Sequence, residues 1–152
     1  MLELAHTAVG ATIATKIPNP LVAISLAFLS HFLLDFIPHW NPSLYTETKK
    51  FGKPSRKSNI IVAFDVVSSL VLGFLIAFRF WPDTKRLIIV LLACFAAVIA
   101  DVVESLYFYL KIRTSFLEKL IRFQHTHQSN ARVIPGLLTQ LITLAVCLYF
   151  LS

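Results

Sequence analysis

Long apolar stretches alternate with short basic ones along this chain. Four of them reach or approach the roughly 20 residues that an α-helix needs to cross a bilayer. They run from Pro20 to Ile37, Asn59 to Phe80, Leu87 to Leu110 and Val133 to Leu151. A fifth, Leu2 to Ile17, is shorter and rich in small residues: Ala5, Ala8, Gly10, Ala11 and Ala14. Small side chains let helix backbones approach closely inside a membrane. Pro18 and Pro20, in "KIPNP", force a turn after it. The pattern predicts an all-α integral membrane helical bundle. It has four long transmembrane helices and a short N-terminal helix that forms a hairpin with the next span. No repeat or low-complexity tract interrupts the pattern.

Composition agrees with that class. Of 152 residues, 57% are hydrophobic and only 14% charged, and the mean hydropathy is +0.73. A soluble domain is typically about half apolar and a quarter charged. The length fits one transmembrane domain over residues 1–152. The net charge of +6 lies in the connecting segments. It comes without the aromatic and basic platform of a nucleic-acid binder, so nucleic acid is not an expected partner.

Lys49, Lys50, Lys53, Arg56 and Lys57 crowd one connection; Lys111, Arg113, Lys119, Arg122 and Arg132 crowd another. The turns near Lys16 and Pro82 are poorer in positive charge. By the positive-inside rule the two rich connections are cytoplasmic. The expected protein is thus multi-pass in the cytoplasmic (inner) membrane, with its N-terminus inside and its C-terminus outside. Its partner is the lipid bilayer, with anionic headgroups drawn to the basic segments. Trp40 and Trp81 sit at span ends, where interfacial anchors belong. The N-terminal stretch has no basic region and no long apolar core, unlike a cleaved signal peptide. Cys94 and Cys147 lie singly in apolar runs and read as packing residues.

Ionisable residues change this picture, because side chains of that kind inside a bilayer are costly and mark functional sites. The stretch "SHFLLDFIPHW" carries His31, Asp35 and His39 at i, i+4 and i+8. A continuous helix puts all three on one face, although Pro38 threatens that continuity for His39. His6 lies about 12 residues before the first turn and His31 about 12 after it. At 1.5 Å of rise per residue the two are level. Asp65 and Asp101 are level by the same reckoning about Pro82 and Asp83. Glu104 follows one helical turn from Asp101.

Half of the eight acidic residues therefore lie within or at the ends of spans. Carboxylates there either neutralise or find cations. With neutral imidazoles they form a ligand set for a divalent ion: Zn²⁺ first, Mn²⁺ or Fe²⁺ next. The expected metal set is His6, His31, His39, Asp35, Asp65, Asp101 and Glu104. Asp101 and Glu104 are the expected catalytic groups, with Glu104 as proton shuttle.

Each member also has a simpler reading. His39 beside Trp40, or His6 near a terminus, suits an interfacial position. Asp65 suits a pair with a loop Lys or Arg, and Asp101 and Glu104 suit bridges to Lys111 or Arg113. His125 and His127, in "QHTHQS", chelate together from an extended backbone but diverge on a helix.

At these residues the chain resembles the membrane-bound metal-dependent hydrolases of the LexA-regulated inner-membrane type. The matching elements are "AHTAVG", with His6 and Gly10, and "LSHFLLD", with His31 and Asp35. "HTHQS" echoes the family's "HRGxTHS" element without its Arg-Gly. The family's DxDH-like element has no counterpart, the segment order differs, and the likeness is confined to about the first 40 residues. What the resemblance implies is a metal-dependent hydrolase.

The sequence-based expectation is thus a membrane-embedded metal-dependent hydrolase at the cytoplasmic face, acting on a lipid or phosphoester. Two rivals use the same residues differently. A small metal-ion or proton-coupled transporter would pass its cargo along them, but the chain shows no inverted repeat or paired broken helices. A non-enzymatic scaffold would pair them across helices.

Overall fold

A computed structural model of the chain describes residues 1–152. It contains seven α-helices and no strand. They are α1 (Glu3–Lys16), α2 (Pro20–Asp35), α3 (Leu44–Phe51), α4 (Arg56–Phe78), α5 (Thr84–Phe108), α6 (Ser115–His127) and α7 (Val133–Leu151). The all-helical class is as the apolar pattern predicts. The count of spans is not: three helices, α4, α5 and α7, are long and apolar enough to cross a membrane.

The fourth expected span, α2, is apolar but has only 16 residues. It opens at Asn19, whose side chain accepts from the Leu21 and Val22 amides. It closes at Asp35, short of the expected Ile37. The residue before a proline is pushed out of the helical region, and Ile37 precedes Pro38.

Helices α3 and α6 occupy the two basic connections. On α6 the buried residues are Leu117, Ile121 and Gln124, spaced four and three apart on one face. Lys119 and Arg122 are exposed. Ser55, Asp83 and Thr114 each cap the helix that follows through a side-chain oxygen.

Short α1 is the centre of the bundle and packs against α2, α4, α5 and α7. Ala5, Ala8, Ala11 and Ala14 are almost fully buried along it. Lipid tails are as apolar as leucine, so close van der Waals packing, not expulsion from water, must hold such helices together. Gly10 shows how close they come. A Cβ there would lie 2.8 Å from both the Ala93 carbonyl oxygen and the Ala97 methyl group on α5.

The two ends of the bundle differ. At the end with the short turns, Arg86 reaches the Thr15 carbonyl at 2.8 Å and Arg79 reaches the Leu151 carbonyl at 2.7 Å. Both bonds join helix ends that the hairpin reading places together. Just inside them, Ala11, Ala14, Ala27, Ile76, Ala77, Val90 and Ala93 belong to one dry cluster of 11 buried residues. The opposite end, under α3 and α6, collects the polar side chains.

Candidate metal centre

Three helices bring the candidate residues together at that polar end. His6 comes from α1, His31 and Asp35 from α2, and Asp101 from α5. The two imidazoles are fully buried and stacked, with ring centroids 4.3 Å apart. The level placement of His6 and His31 thus holds.

His31 is fixed from one side. Its Nδ1 lies 2.9 Å from the Ala97 carbonyl oxygen. A carbonyl only accepts, so Nδ1 carries the proton and, in the neutral ring, Nε2 carries the lone pair. That nitrogen faces three oxygens: Gln124 Oε1 at 3.1 Å, Asp35 Oδ2 at 3.7 Å and Asp101 Oδ1 at 3.8 Å. Acceptors gathered around an acceptor need a positive centre between them. Turning the Gln124 amide, whose nitrogen is otherwise without a partner, would satisfy the lone pair facing it. The two carboxylates beyond it still call for a positive centre, an imidazolium proton or a cation in the gap.

His6 adds to this. Neither of its ring nitrogens has a hydrogen-bond partner, which is uncommon for a buried polar group. Its Nε2 is 3.4 Å from Asp35 Oδ1, an oxygen that the Met1 amino group also contacts. Donor atoms of His6, His31 and Asp101 all lie within 4.8 Å of one another. Ligands of a tetrahedral zinc ion are about 3.3 Å apart. The pairs at 3.4–3.8 Å are therefore near ligand spacing, and Asp101 must draw in slightly. The fixed tautomer of His31 is also how metal-bound histidines are oriented by a carbonyl behind them. The donor set fits a divalent ion.

The remaining expected members sit around this core in other roles. His39 lies beyond the end of α2 and is fully buried. Its backbone pairs with Ser129 and Ala131, and the Ser129 amide also bonds the Asp35 carbonyl. This pairing returns its Nε2 to 3.6 Å from Asp35 Oδ1. Its Nδ1 donates to the Ile37 carbonyl at 2.8 Å, and its Nε2 accepts from Asn41 at 3.2 Å. Burial pushes its pKa below the usual imidazole value, in keeping with a neutral ring.

Asp65 is engaged with the start of α1. Its carboxylate accepts from the Glu3 amide at 2.7 Å and the Leu4 amide at 3.1 Å. It satisfies amides that a helix leaves unpaired, a partner different from the loop Lys or Arg that the sequence offers. Glu104 has one buried carboxylate oxygen without a partner. Asp65, Asp101 and Glu104 line the same cavity of about 570 Å³, together with Asp35, Glu3 and Gln124. No bridge joins Asp101 or Glu104 to Lys111 or Arg113.

His125 and His127 stay outside. Both are exposed on α6, where their rings diverge as helical neighbours two apart must. His125 packs on Tyr45 with centroids 4.6 Å apart, and His127 bonds the Phe123 carbonyl at 2.8 Å. The residue that reaches the site from this helix is Gln124, just before the histidine pair. Its place after Leu117 and Ile121 on the buried face was the available signal. Gln140 was also missed: it accepts from the Leu2 amide at 2.7 Å and donates to the Trp40 carbonyl at 2.9 Å.

Comparison of the chain with protein-family models, curated proteins and solved structures returns no match.

Proposed function

We propose that the chain is a multi-pass protein of the cytoplasmic membrane and a metal-dependent hydrolase of lipid or phosphoester substrates at the cytoplasmic face. The three long helices and the shorter α2 cross the bilayer, and α1 is enclosed among them. His6, His31, Asp35 and Asp101 hold the ion, with zinc preferred by this mixture of imidazole and carboxylate. The Ala97 carbonyl orients His31, and the pairing of the His39 segment with Ser129 fixes the end of α2 that carries Asp35. Asp65 anchors α1, and with it His6.

When bound, a divalent ion supplies Lewis acidity, lowering the pKa of a coordinated water and polarising a carbonyl or phosphoryl oxygen. Glu104, lining the same cavity with a free oxygen, accepts and returns the proton. The packed helices exclude bulk water behind His6 and His31, which are fully buried.

One observation carries this reading: a buried, unpartnered His6 stacks on His31, and both rings face the carboxylates of Asp35 or Asp101. The resemblance of "AHTAVG" and "LSHFLLD" to membrane-bound hydrolases points the same way.

The test is hydrolysis of a chromogenic phosphodiester by purified, detergent-solubilised protein. Turnover should vanish with a chelator, return with zinc or manganese, and be absent in His31→Ala and Asp101→Ala. Chelator-resistant turnover, or none in zinc-loaded protein with intact helix content, would contradict the proposal.

A further inference from the structure

The cavity beside the candidate metal centre has walls of unequal chemistry. Glu3, Asp35, Asp65, Asp101 and Glu104 all line it, no lysine or arginine side chain does, and the Met1 ammonium there is taken up by Asp35. One oxygen each of Glu3 and Glu104 is buried without a hydrogen-bond partner. Gln124, 8% exposed, lines the same space and has an amide nitrogen without a partner. That nitrogen is a donor. The cavity thus holds unpaired acceptors for a cation and one unpaired donor for an oxygen.

Its rim is also divided. Val66 on α4 and Val102 on α5 line the cavity and are 39% and 43% exposed. Both helices are long and apolar enough to cross a membrane, so side chains exposed between them face acyl chains. Elsewhere the rim is Ser43, Thr46 and Asn130, exposed on the connecting segments. An opening that is greasy on its span side and polar on its loop side suits a molecule lying in the membrane interface.

We propose that the cavity binds a bilayer phospholipid with an amine-bearing, zwitterionic headgroup, admitted sideways between α4 and α5. The ammonium lies against Glu3, Asp65 and Glu104. The phosphoester lies toward Gln124 and the His31 end, and the acyl chains leave over Val66 and Val102. This rests on the hydrolase reading for the position of the phosphoester and narrows its substrate class. The Met1 ammonium on Asp35 and a bound divalent ion offset three of the five carboxylate charges. An anionic headgroup without an amine therefore still meets excess negative charge, a costly arrangement at low dielectric. The basic residues of α3 and α6 lie outside this cavity; they attract the anionic surface as a whole.

The experiment is native mass spectrometry of the full chain released from vesicles of equal palmitoyl-oleoyl phosphatidylethanolamine and phosphatidylglycerol. The last retained lipid should be phosphatidylethanolamine, by about tenfold. Water-soluble glycerophosphoethanolamine should compete poorly, because its head lacks the chains. Glu104→Gln should lower the preference, and Val102→Trp, which fills the rim, should abolish retention. Val66→Trp serves the same purpose where the first variant loses helix content. Equal or greater retention of phosphatidylglycerol would overturn the proposal. So would full competition by the soluble head, or unchanged retention in the folded tryptophan variants. Zinc content measured on the same samples separates the two readings. Selective lipid retention by protein that cannot hold zinc overturns the hydrolase alone. Zinc-loaded protein without selectivity overturns the lipid site alone.

Discussion

The turn end and the connection end of this bundle are built from opposite materials. At the turn end, alanines of α1 and α2 meet Ile76, Val90 and Ala93 in one hydrophobic cluster. At the connection end, three buried imidazoles gather with the carboxylates of Asp35 and Asp101 and the amide of Gln124. Packing alone suffices for the first, because small residues bring the backbones into contact. The second stores uncompensated polarity, such as His6 and the oxygens of Glu3 and Glu104. A fold does not need that polarity for stability, and the proposed function rests on this difference.

Substitutions at each end should therefore fail in different ways. The largest effect belongs to His31→Ala, which should weaken zinc retention by about a hundredfold or more, read by metal analysis after dialysis. Helix content by circular dichroism should stay that of the parent. Asp101→Asn should weaken zinc binding less than His31→Ala, because it keeps an oxygen but loses its charge, measured by competition with a chromophoric chelator. Ala14→Leu at the dry end should do the reverse. Overpacking there should destabilise by about 1–3 kcal/mol in thermal unfolding, with zinc per folded chain unchanged.

Asp65→Ala tests the join between the two ends. It leaves the Glu3 and Leu4 amides without their acceptor, at a cost of about 1–3 kcal/mol, and should loosen zinc only through α1. The smallest effect lies outside both ends, at Glu47. The Ser55 amide, 2.7 Å away, holds its carboxyl below the usual range. A depressed pKa stabilises the fold above the unfolded value and loses that contribution as pH falls through the folded one. Glu47→Gln should thus unfold slightly earlier than the parent at neutral pH. The two melting curves should converge below the ordinary glutamate pKa of 4.5.

The polar end was legible to the extent that depth is legible. Counting residues from each turn placed His6 beside His31, because antiparallel helices with the same rise must match. The same counting set Asp65 at the right level but was silent on its work. Depth does not specify which neighbour a side chain meets, and Asp65 meets backbone amides. His39 was anchored to the site by pairing with residues near Ser129, a contact no helical period encodes. Helices α3 and α6 were hidden because their charge reads as loop, while the Leu117, Ile121, Gln124 face that buries α6 is short. The length of α2 turned on Pro38, which ended it too early for a fourth long span.

The central claim is that the His6, His31, Asp35 and Asp101 side chains surround one divalent ion. Anomalous X-ray scattering at the zinc edge, from crystals grown with zinc, tests it most directly. The account predicts a single strong peak about 2.0–2.2 Å from His31 Nε2, a His6 ring nitrogen and the carboxylate oxygens. A map empty there, with His31 bonded as an imidazolium to Asp35 and Asp101, would contradict it.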